Sequence, residues 1–353
     1  MAHNLRRIIE SKPIVVSAPC RLDFGGTLDI PAFYYSLRHL SPCTVNLALG
    51  LRTRVELRPF RQGWVKISST GFETTQYPLH RAPFDHPLGL MFVIAAYFQV
   101  DGIHIRIDSQ SPPRSALGGS SAAAVALVAA LARAFERAGE GDRMSKRQMA
   151  RLALSLEESV AGVPCGFQDQ LAAVYGGVHA WYWQGGGPER AFRKKVLIRK
   201  SFYGQLERHL VAAYGGIPHE SKNVNAQWVR QYLAGKTRAL WVEIVACTQQ
   251  FVLALMAHDF QKAARIMNRE TAIRREMTPD VLDRIGIQLV AAAESHGCGA
   301  RFTGAGGGGC LWALGPRANV GALRKTWETI LSQRREGRLL EAEIDSQGLS
   351  VEG

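Results

Sequence analysis

The feature that most restricts the fold of this chain is a glycine- and serine-rich run that leads into an uncharged, alanine-rich segment. Residues 115–121 are small apart from Leu117, and no charged side chain follows them until Arg133. Alanine and leucine favour helix, and a helix that is apolar all round must be buried. The pattern therefore predicts a core helix that begins at a stretch of almost bare backbone.

The start of that helix is suited to binding an anion. Small residues let backbone N–H groups approach an anion closely, and the helix dipole places positive charge at its N-terminus. The hydroxyls of Ser120 and Ser121 add donors for phosphate or ligands for Mg²⁺. The same run could be an ordinary turn that caps a buried helix, but a cap needs only one serine. We therefore predict a phosphate-binding loop between a strand at 103–107 and the helix.

A second glycine-rich run, from Gly304 to Gly309, matches the spacing G-x-G-x-x-G. A dinucleotide-binding turn requires a helix after that motif, whereas residues 310–314 are strand-like, so the dinucleotide interpretation is rejected. Five glycines in six residues fit a tight loop between two strands that another backbone or a ligand approaches closely. A flexible hairpin is the alternative.

Acidic residues form a third candidate site. A predicted helix ends near Glu157 and Glu158, and a turn containing glycine and proline leads on to Asp169. Near a phosphate loop such carboxylates suit Mg²⁺, which prefers oxygen ligands and bridges phosphates. Taken alone, Asp169 is better explained as the N-cap of the helix that follows it.

Alternating and helical patterns run along the whole chain and predict a mixed α/β fold. The predicted strands lie at 13–18, 45–57, 65–67, 103–107, 211–214, 300–303 and 310–314. The predicted helices lie at 87–97, 122–135, 145–158, 226–232, 239–257, 260–275, 279–296 and 320–332. The clearest break is Gln184-Gly185-Gly186-Gly187-Pro188, which divides the chain into predicted domains 1–186 and 187–353.

The amino-acid composition restricts which binding partners and which cellular compartment we expect for this protein. The net charge of +13 admits anionic partners, but the cations are scattered, which favours phosphorylated small molecules over nucleic acid. The six cysteines include no C-x-x-C pair and no zinc spacing, a pattern typical of reduced thiols in a cytoplasmic protein. The longest apolar stretch is shorter than the ~20 residues of a membrane helix. We expect a cytoplasmic protein without a membrane or nucleic-acid partner.

Four stretches, in their order along the chain, resemble motifs of the GHMP kinase superfamily of galactokinase, homoserine kinase, mevalonate kinase and phosphomevalonate kinase. The first, second, catalytic-aspartate and third motifs correspond to residues 18–22, 113–123, 164–170 and 303–310. The resemblance covers nearly the whole chain. It implies an N-terminal domain like ribosomal protein S5 domain 2 and a ferredoxin-like C-terminal domain, with ATP and substrate in the cleft between them.

The resemblance also assigns site residues. The ATP phosphates would be bound by Pro113, Ser115, Ala116, Leu117, Gly118, Gly119, Ser120 and Ser121. Mg²⁺ would be held by Ser120 and by Glu157 on the galactokinase spacing, whereas a mevalonate-kinase spacing would give Glu158. Asp169 would accept the proton of the substrate hydroxyl or orient that hydroxyl, and a paired Arg21 would lower the pKa of Asp169. The substrate would contact Gly26, Thr27, Asp29, Gly306 and Gly307.

Departures from the family pattern concern the phosphate loop and the substrate. Ala116 stands where the second motif usually has glycine, and Gly119 where it often has serine. Residues 25–29 read Gly-Gly-Thr-Leu-Asp instead of the Gly-Glu-His-x-Asp-Tyr of galactokinases. That stretch is similar to the Gly-Gly-Thr-Asp of D-glycero-D-manno-heptose 7-phosphate kinases, with one residue inserted.

The resemblance implies a small-molecule kinase that uses ATP and Mg²⁺ and phosphorylates a hydroxyl of a sugar or sugar phosphate, as a monomer or homodimer. An isoprenoid-type kinase that acts on a mevalonate-like acid is the alternative among enzymes. Outside enzymes, the alternatives are a catalytically silent sensor of ATP or sugar and an RNA-binding protein. The retained Arg21, Glu157 and Asp169 argue against a sensor, and the lack of a basic stripe interleaved with aromatics argues against RNA.

Overall fold

The computed structural model of the chain describes residues 2–186, 191–218 and 221–352, and it describes side chains from residue 6 onward except those of 221–223. Within these ranges the helices are α1 (Ala2–Ser11), α2 (Pro31–Tyr34), α3 (Gly89–Tyr97), α4 (Gly119–Ala138), α5 (Lys146–Ala161), α6 (Gln168–Tyr175), α7 (Tyr203–Glu207), α8 (Ser221–Leu233), α9 (Arg238–Met256), α10 (Phe260–Met277), α11 (Arg284–Ser295) and α12 (Arg317–Leu331). The strands are β1 (Ile14–Phe24), β2 (Cys43–Pro59), β3 (Trp64–Ser69), β4 (Thr75–Pro78), β5 (Ile103–Ser109), β6 (Val178–Trp183), β7 (Phe192–Ile198), β8 (Leu210–Tyr214), β9 (Gly299–Phe302), β10 (Cys310–Leu314), β11 (Arg338–Leu340) and β12 (Ser350–Glu352). The mixed α/β class expected from the sequence is confirmed.

Eight of the described strands form one sheet, and the 17-residue strand β2 is the common partner within it. β1 runs antiparallel to β2 along its whole length, whereas β5 pairs with residues 53–59 of β2 and β6 with residues 43–47. β3 runs parallel to β5, and β4, β7 and β12 extend the sheet. The pairing of β1 with β2 shifts register between Pro19 and Cys20, just before the first residues of the site.

The alanine-rich helix α4 is the core of the first half, as the sequence predicts. Every residue from Ser121 to Ala132 is buried, and the helix packs on β1 and β2 and against α5 and α6. α4 and α9 are long and apolar enough by length and composition to cross a membrane, a test that the core helix of a soluble protein also passes. The packing of α4 against the sheet and against two helices explains why residues 121–132 carry no charge.

A second, smaller sheet organises the other half of the chain. Its four described strands are antiparallel in the order β11-β8-β10-β9. α10 packs against β9 and α9, and α11 packs against β9 and α12. Trp241, Trp312 and Trp327 are fully buried among these elements. This rigid packing fixes α10, whose polar side chains reach the site described below.

One predicted helix begins later than expected. The sequence predicts a helix over 279–296, but α11 begins at Arg284. The side chain of Asp283 accepts a hydrogen bond from the backbone N–H of Gly286 at 3.0 Å and caps the helix there. An aspartate N-cap fixes a helix start, and residues 279–282 form the turn that precedes it.

The predicted boundary between residues 186 and 187 stays a prediction, because residues 187–190 of the glycine-rich break lie outside the described residues. Strands beyond that point are not confined to the second sheet. β7 pairs with β6, and β12 pairs with β1 through Val15, Val16 and Ser17. The C-terminal end of the chain therefore returns to the first sheet.

Candidate active site

A cleft of about 430 Å³ collects most of the residues predicted for the site, and segments from both halves of the chain line it. The predicted residues that line it are Arg21, Thr27, Asp29, Pro113, Ser115, Ala116, Gly118, Gly119, Ser120, Ser121, Glu157 and Asp169. Leu117 does not, because its side chain is fully buried in the core. Its carbonyl instead accepts a hydrogen bond from the backbone N–H of Arg21 at 2.9 Å.

The predicted phosphate loop connects β5 to α4. Gly118 precedes the helix with φ of +76°, and it has no side chain that could cap the first turn. The first N–H groups of a helix lack intrahelical partners, so those of Gly119, Ser120 and Ser121 are free to bind an anion. Ala116, where the family pattern has glycine, adopts φ of +61°, a region that strains any side chain.

A bidentate ion pair joins Arg21 to Asp169. The Nε and Nη2 atoms of Arg21 donate to the two carboxylate oxygens of Asp169 at 2.8 and 2.9 Å, while Nη1 donates to the carbonyl of Ala116 at 2.5 Å. Arg21 thus holds Asp169 against the phosphate loop. The suggestion that Asp169 caps a helix is wrong, because the N-cap of α6 is Phe167 and Asp169 lies in the first turn.

Burial governs the protonation of this pair. It raises the pKa of Asp169 above its usual value, although the charge of Arg21 and its hydrogen bonds oppose the rise. The expectation of a lowered pKa is therefore wrong, because it counted the pairing and not the loss of water. Burial disfavours the charged guanidinium of Arg21, yet Asp169 and Asp23 keep its pKa above its ordinary value, so Arg21 remains a cation.

Glu157 faces the same loop and forms a candidate magnesium site. Its Oε2 accepts hydrogen bonds from Ser121 Oγ at 2.9 Å and from Gln170 Nε2 at 2.6 Å, whereas Glu158 is exposed. The serine beside this carboxylate is therefore Ser121, not the predicted Ser120. Burial raises the pKa of Glu157 to about 7, against those two hydrogen bonds.

Asp29 supplies an acceptor on the other side of the cleft. Its side chain is 3% exposed, and Oδ2 accepts the backbone N–H of Gln168 at 2.9 Å. Oδ1 has no hydrogen-bond partner among the described residues. Burial raises the pKa of Asp29 to about 7. Gly166 leaves room for this carboxylate, because a Cβ there would lie 2.0 Å from Oδ2.

The second glycine-rich run packs against the phosphate loop, as expected for a loop approached by another backbone. A Cβ on Gly309 would lie 2.7 Å from the carbonyl oxygen of Ser115. Gly304 and Ala305 line the cleft. Gly306 and Gly307, which were predicted to contact the substrate, are not among the residues that line the cleft: a Cβ on Gly306 would meet Val281, and the N–H of Gly307 donates to the Val281 carbonyl at 2.9 Å. Gly26 does not line the cleft either, and its carbonyl accepts a hydrogen bond from Arg274 Nη2 at 2.8 Å.

Sequence reasoning missed a buried charge cluster behind the cleft. Asp23 accepts the backbone N–H of Gly304 at 2.7 Å and Arg301 Nη1 at 2.9 Å. Arg301 Nε donates to Glu270 at 2.9 Å, and Glu270 accepts Arg274 Nε at 2.8 Å. The side chains of Asp23, Glu270, Arg274 and Arg301 are fully buried. Four charges with a net charge of zero therefore connect the first motif to β9 and α10.

Sequence reasoning also missed part of the cleft lining and one polar residue. Phe72, Leu88, Met91 and Ile107 give part of the cleft an apolar lining, as is usual for sites that bind small molecules. Asn225 lines the cleft, and its Oδ1 has no partner among the described residues. No local motif marks these positions, because apolar residues on α3 and β5 are indistinguishable from core residues in the sequence.

Two family models match this chain. One, described as the GHMP kinases N terminal domain, matches residues 88–177, which include the phosphate loop, Glu157 and Asp169. The other, described as GHMP kinases C terminal, matches residues 251–331, which include Glu270, Arg301 and the second glycine-rich run.

Individual proteins resemble the chain along most of its length. The mevalonate kinase of Pyrococcus horikoshii is 28% identical over 335 residues, which cover 86% of this chain and 89% of that protein. Probable glucuronokinase 2 of Arabidopsis thaliana is 29% identical over 57% of this chain and 54% of its own. The crystal structure of Lactococcus lactis galactokinase complexed with galactose superposes with a TM-score of 0.72 at 16% identity, covering 98% of this chain and 97% of that one. At that identity the structural likeness shows a common two-domain fold.

Proposed function

This chain belongs to the GHMP kinase superfamily, and on that premise we propose that it transfers the γ-phosphoryl group of ATP to a hydroxyl of a sugar or sugar phosphate. The observation that supports a sugar as the phosphate acceptor concerns Asp29, which lines the cleft. One of its buried carboxylate oxygens has no hydrogen-bond partner among the described residues. A buried acceptor without a donor is costly, and a ligand that presents several hydroxyl groups would supply one. Asn225 Oδ1 offers a second such acceptor.

Charge placement supports an in-line phosphoryl transfer. The free N–H groups at the start of α4 would bind the phosphates. The acceptor hydroxyl would give its proton to Asp169 while its oxygen bonds to the γ-phosphorus, and the bond to the bridging oxygen would break to release ADP. Phosphoryl transfer depends mostly on alignment and charge neutralisation. Arg21 would orient Asp169 and offset the charge of the transferring group.

The residues beside the phosphate loop fit a magnesium ion. A carboxylate from Glu157 and a hydroxyl from Ser121 are the kind of oxygen donors that Mg²⁺ takes, and nucleotide phosphates complete such sites. When bound, Mg²⁺ neutralises charge on the β- and γ-phosphates. Among the described residues no group of three or more histidine, cysteine or acidic side chains could hold a metal ion.

A second candidate acceptor is a hydroxy acid such as mevalonate, favoured by the 28% identity to an archaeal mevalonate kinase. Such a substrate carries a carboxylate and needs a cation near it. The described cations that line the cleft are Arg21, which is paired with Asp169, and Arg114 at the phosphate loop. The acceptor end therefore favours a substrate rich in hydroxyl donors over an acid.

The test is an acceptor panel with purified protein, Mg²⁺ and ATP, read as ADP release. The panel contains hexoses, 6-deoxy sugars, heptose phosphates, glucuronate and mevalonate. We expect turnover with at least one sugar, and a KM for that sugar raised about tenfold or more in Asp29→Asn, which weakens the acceptor. Turnover with mevalonate alone would show that the acceptor is a hydroxy acid and not a sugar. No turnover with any acceptor would refute the kinase assignment.

A further inference from the structure

Residues 25–30, here called the acceptor turn, connect β1 to α2 and place Asp29 in the cleft. Thr27 in this turn has φ of +71°, a conformation that is an outlier for a β-branched residue. The turn is closed by hydrogen bonds from the N–H of Leu28 to the carbonyl of Gly25 at 3.3 Å and from Ile30 to Thr27 at 3.0 Å. The position of Asp29 therefore depends on a strained residue two positions before it.

The strained residue is held from the other half of the chain. Arg274 on α10 donates from Nη1 to the Thr27 hydroxyl at 3.0 Å and from Nη2 to the Gly26 carbonyl at 2.8 Å. Both bonds are fully buried. On the neighbouring helix α9, Thr248 leaves no room for a side chain at Gly25, since a Cβ there would lie 2.5 Å from its hydroxyl oxygen. The turn thus rests on α9 and α10.

Arg274 is itself fixed from three sides. Its Nε donates to Glu270 at 2.8 Å, and the rings of Trp228 and Trp241 lie 4.7 and 4.6 Å from its guanidinium carbon. A guanidinium that lies over two aromatic rings and is bound to a carboxylate has little freedom to move. The second carboxylate oxygen of Glu270 is taken by Arg301. Arg274 is therefore a rigid pair of donors directed at the Thr27 hydroxyl and the Gly26 carbonyl of the acceptor turn.

We propose that Arg274 is a positioning residue that keeps Thr27 in its left-handed conformation and thereby presents Asp29 to the acceptor. This inference rests on the proposed function, because it takes Asp29 as the acceptor contact. Without the two bonds, Thr27 relaxes toward negative φ, the turn opens, and the carboxylate leaves its place beside Gln168. The hydrogen bonds of Arg274 among the described residues go to Glu270, Thr27 and Gly26 and not to the phosphate loop, so we expect ATP binding to depend little on it.

The test compares two single variants, Arg274→Lys and Thr27→Val, with the double variant that combines Arg274→Lys and Thr27→Gly. Lysine keeps the charge next to Glu270 but not the paired donors, and valine keeps the shape of threonine but not its hydroxyl. Each single change should raise the acceptor KM about tenfold, as small misplacements of binding groups do, with the ATP KM within about twofold. Glycine adopts positive φ freely, so Thr27→Gly should recover part of the loss in Arg274→Lys.

Arg275→Lys is the matched control, since Arg275 follows Arg274 on α10 and is exposed. It should leave both KM values unchanged. Equal rises in the acceptor and ATP KM values of Arg274→Lys, or no recovery by Thr27→Gly, would overturn the proposal. If Arg274→Lys fails to fold, Thr27→Val tests the proposal with the charge cluster intact, and an unchanged acceptor KM in that variant would overturn it.

A second readout separates this inference from the proposed function. Melting temperatures of Arg274→Lys, Thr27→Gly and the double variant form a cycle that needs no substrate. A smaller loss from Thr27→Gly in the Arg274→Lys background than in the parent supports the clamp, and additive losses refute it. If no acceptor is turned over by the parent protein, the proposed function fails while this cycle still tests the clamp.

Discussion

Replacing Asp29 by asparagine should stabilise the protein at alkaline pH while it impairs acceptor binding. The carboxyl group of Asp29 is 3% exposed and one of its oxygens lacks a partner among the described residues. Asparagine has the same shape, its carbonyl can accept the N–H of Gln168, and it carries no charge to desolvate. A charged group kept for a ligand thus weakens the unliganded fold.

The size of the effect follows from the pKa. Burial raises the pKa of Asp29 from 3.8 to about 7, and each pKa unit corresponds to 1.36 kcal/mol. The upper limit is therefore about 4 kcal/mol. We expect a difference of about 2–4 kcal/mol between Asp29→Asn and the parent.

The difference in the free energy of unfolding between Asp29→Asn and the parent protein grows as the pH rises. Between pH 4 and 7 the folded protein keeps the proton on Asp29 while the unfolded chain releases it, so the parent protein loses stability as the pH rises through that window. Asparagine does not titrate. The advantage of Asp29→Asn should be about a quarter of its full value at pH 4.5 and complete above pH 7.

Urea unfolding of both proteins at pH 4.5 and pH 8 measures this difference. Asp280→Asn is the control, since Asp280 is exposed and its replacement should change the free energy of unfolding by less than about 0.5 kcal/mol at either pH. A difference between Asp29→Asn and the parent that is the same at both pH values would show that this carboxyl group is not desolvated.

Three other positions near the phosphate loop give measurable outcomes. Asp169→Asn should lower kcat by about 10² or more in an ADP-release assay, with an unchanged circular dichroism spectrum; full activity would refute its role. Ser121→Ala should raise the Mg²⁺ concentration for half-maximal rate several-fold, because Ser121 donates to Glu157, whereas Ser120→Ala should not; equal effects would contradict this. Ala116→Gly should raise the free energy of unfolding by about 0.5–1 kcal/mol in urea, because glycine adopts φ of +61° without strain; a loss would contradict it.

The parts of the site that could be predicted are those written in contiguous sequence. The phosphate loop could be recognised from the sequence, because a run of small residues directly before an apolar helix is typical of anion-binding helix N-termini. Arg21 and Asp169 could be named from their motifs, and the structure brings them within 2.8 Å of each other. Local composition also predicted most strands and helices.

The predictions that the structure corrects are those that depend on the direction in which a residue faces. Ser120 and Ser121 are neighbours in sequence, but one residue turns a helix by about 100°, so only the structure shows which hydroxyl meets Glu157. In the second glycine-rich run the packing of Val281 decides that Gly304, not Gly306, faces the cleft. The pKa of Asp169 depends on how much water the fold removes, which no motif records.

The buried charge cluster could not be predicted for a different reason. Glu270 and Arg274 are four residues apart on one helix, the spacing of an ordinary surface ion pair. Nothing in the sequence reveals that two tryptophans enclose Arg274 or that Arg301 binds the other oxygen of Glu270. Such partners are distant along the chain, and only the tertiary fold brings them together.

The pairing of Asp23 with Arg301 has a consequence for synthesis on the ribosome. The two residues are separated by 278 positions, so a nascent chain can form β1 long before the guanidinium that neutralises its carboxylate has been translated. Until then, Asp23 retains its water and the end of β1 stays hydrated. The strand that carries Arg21 thus reaches its final dry state only after Arg301, 278 positions further along the chain, has emerged, so the candidate site matures long after its first strand has been synthesised.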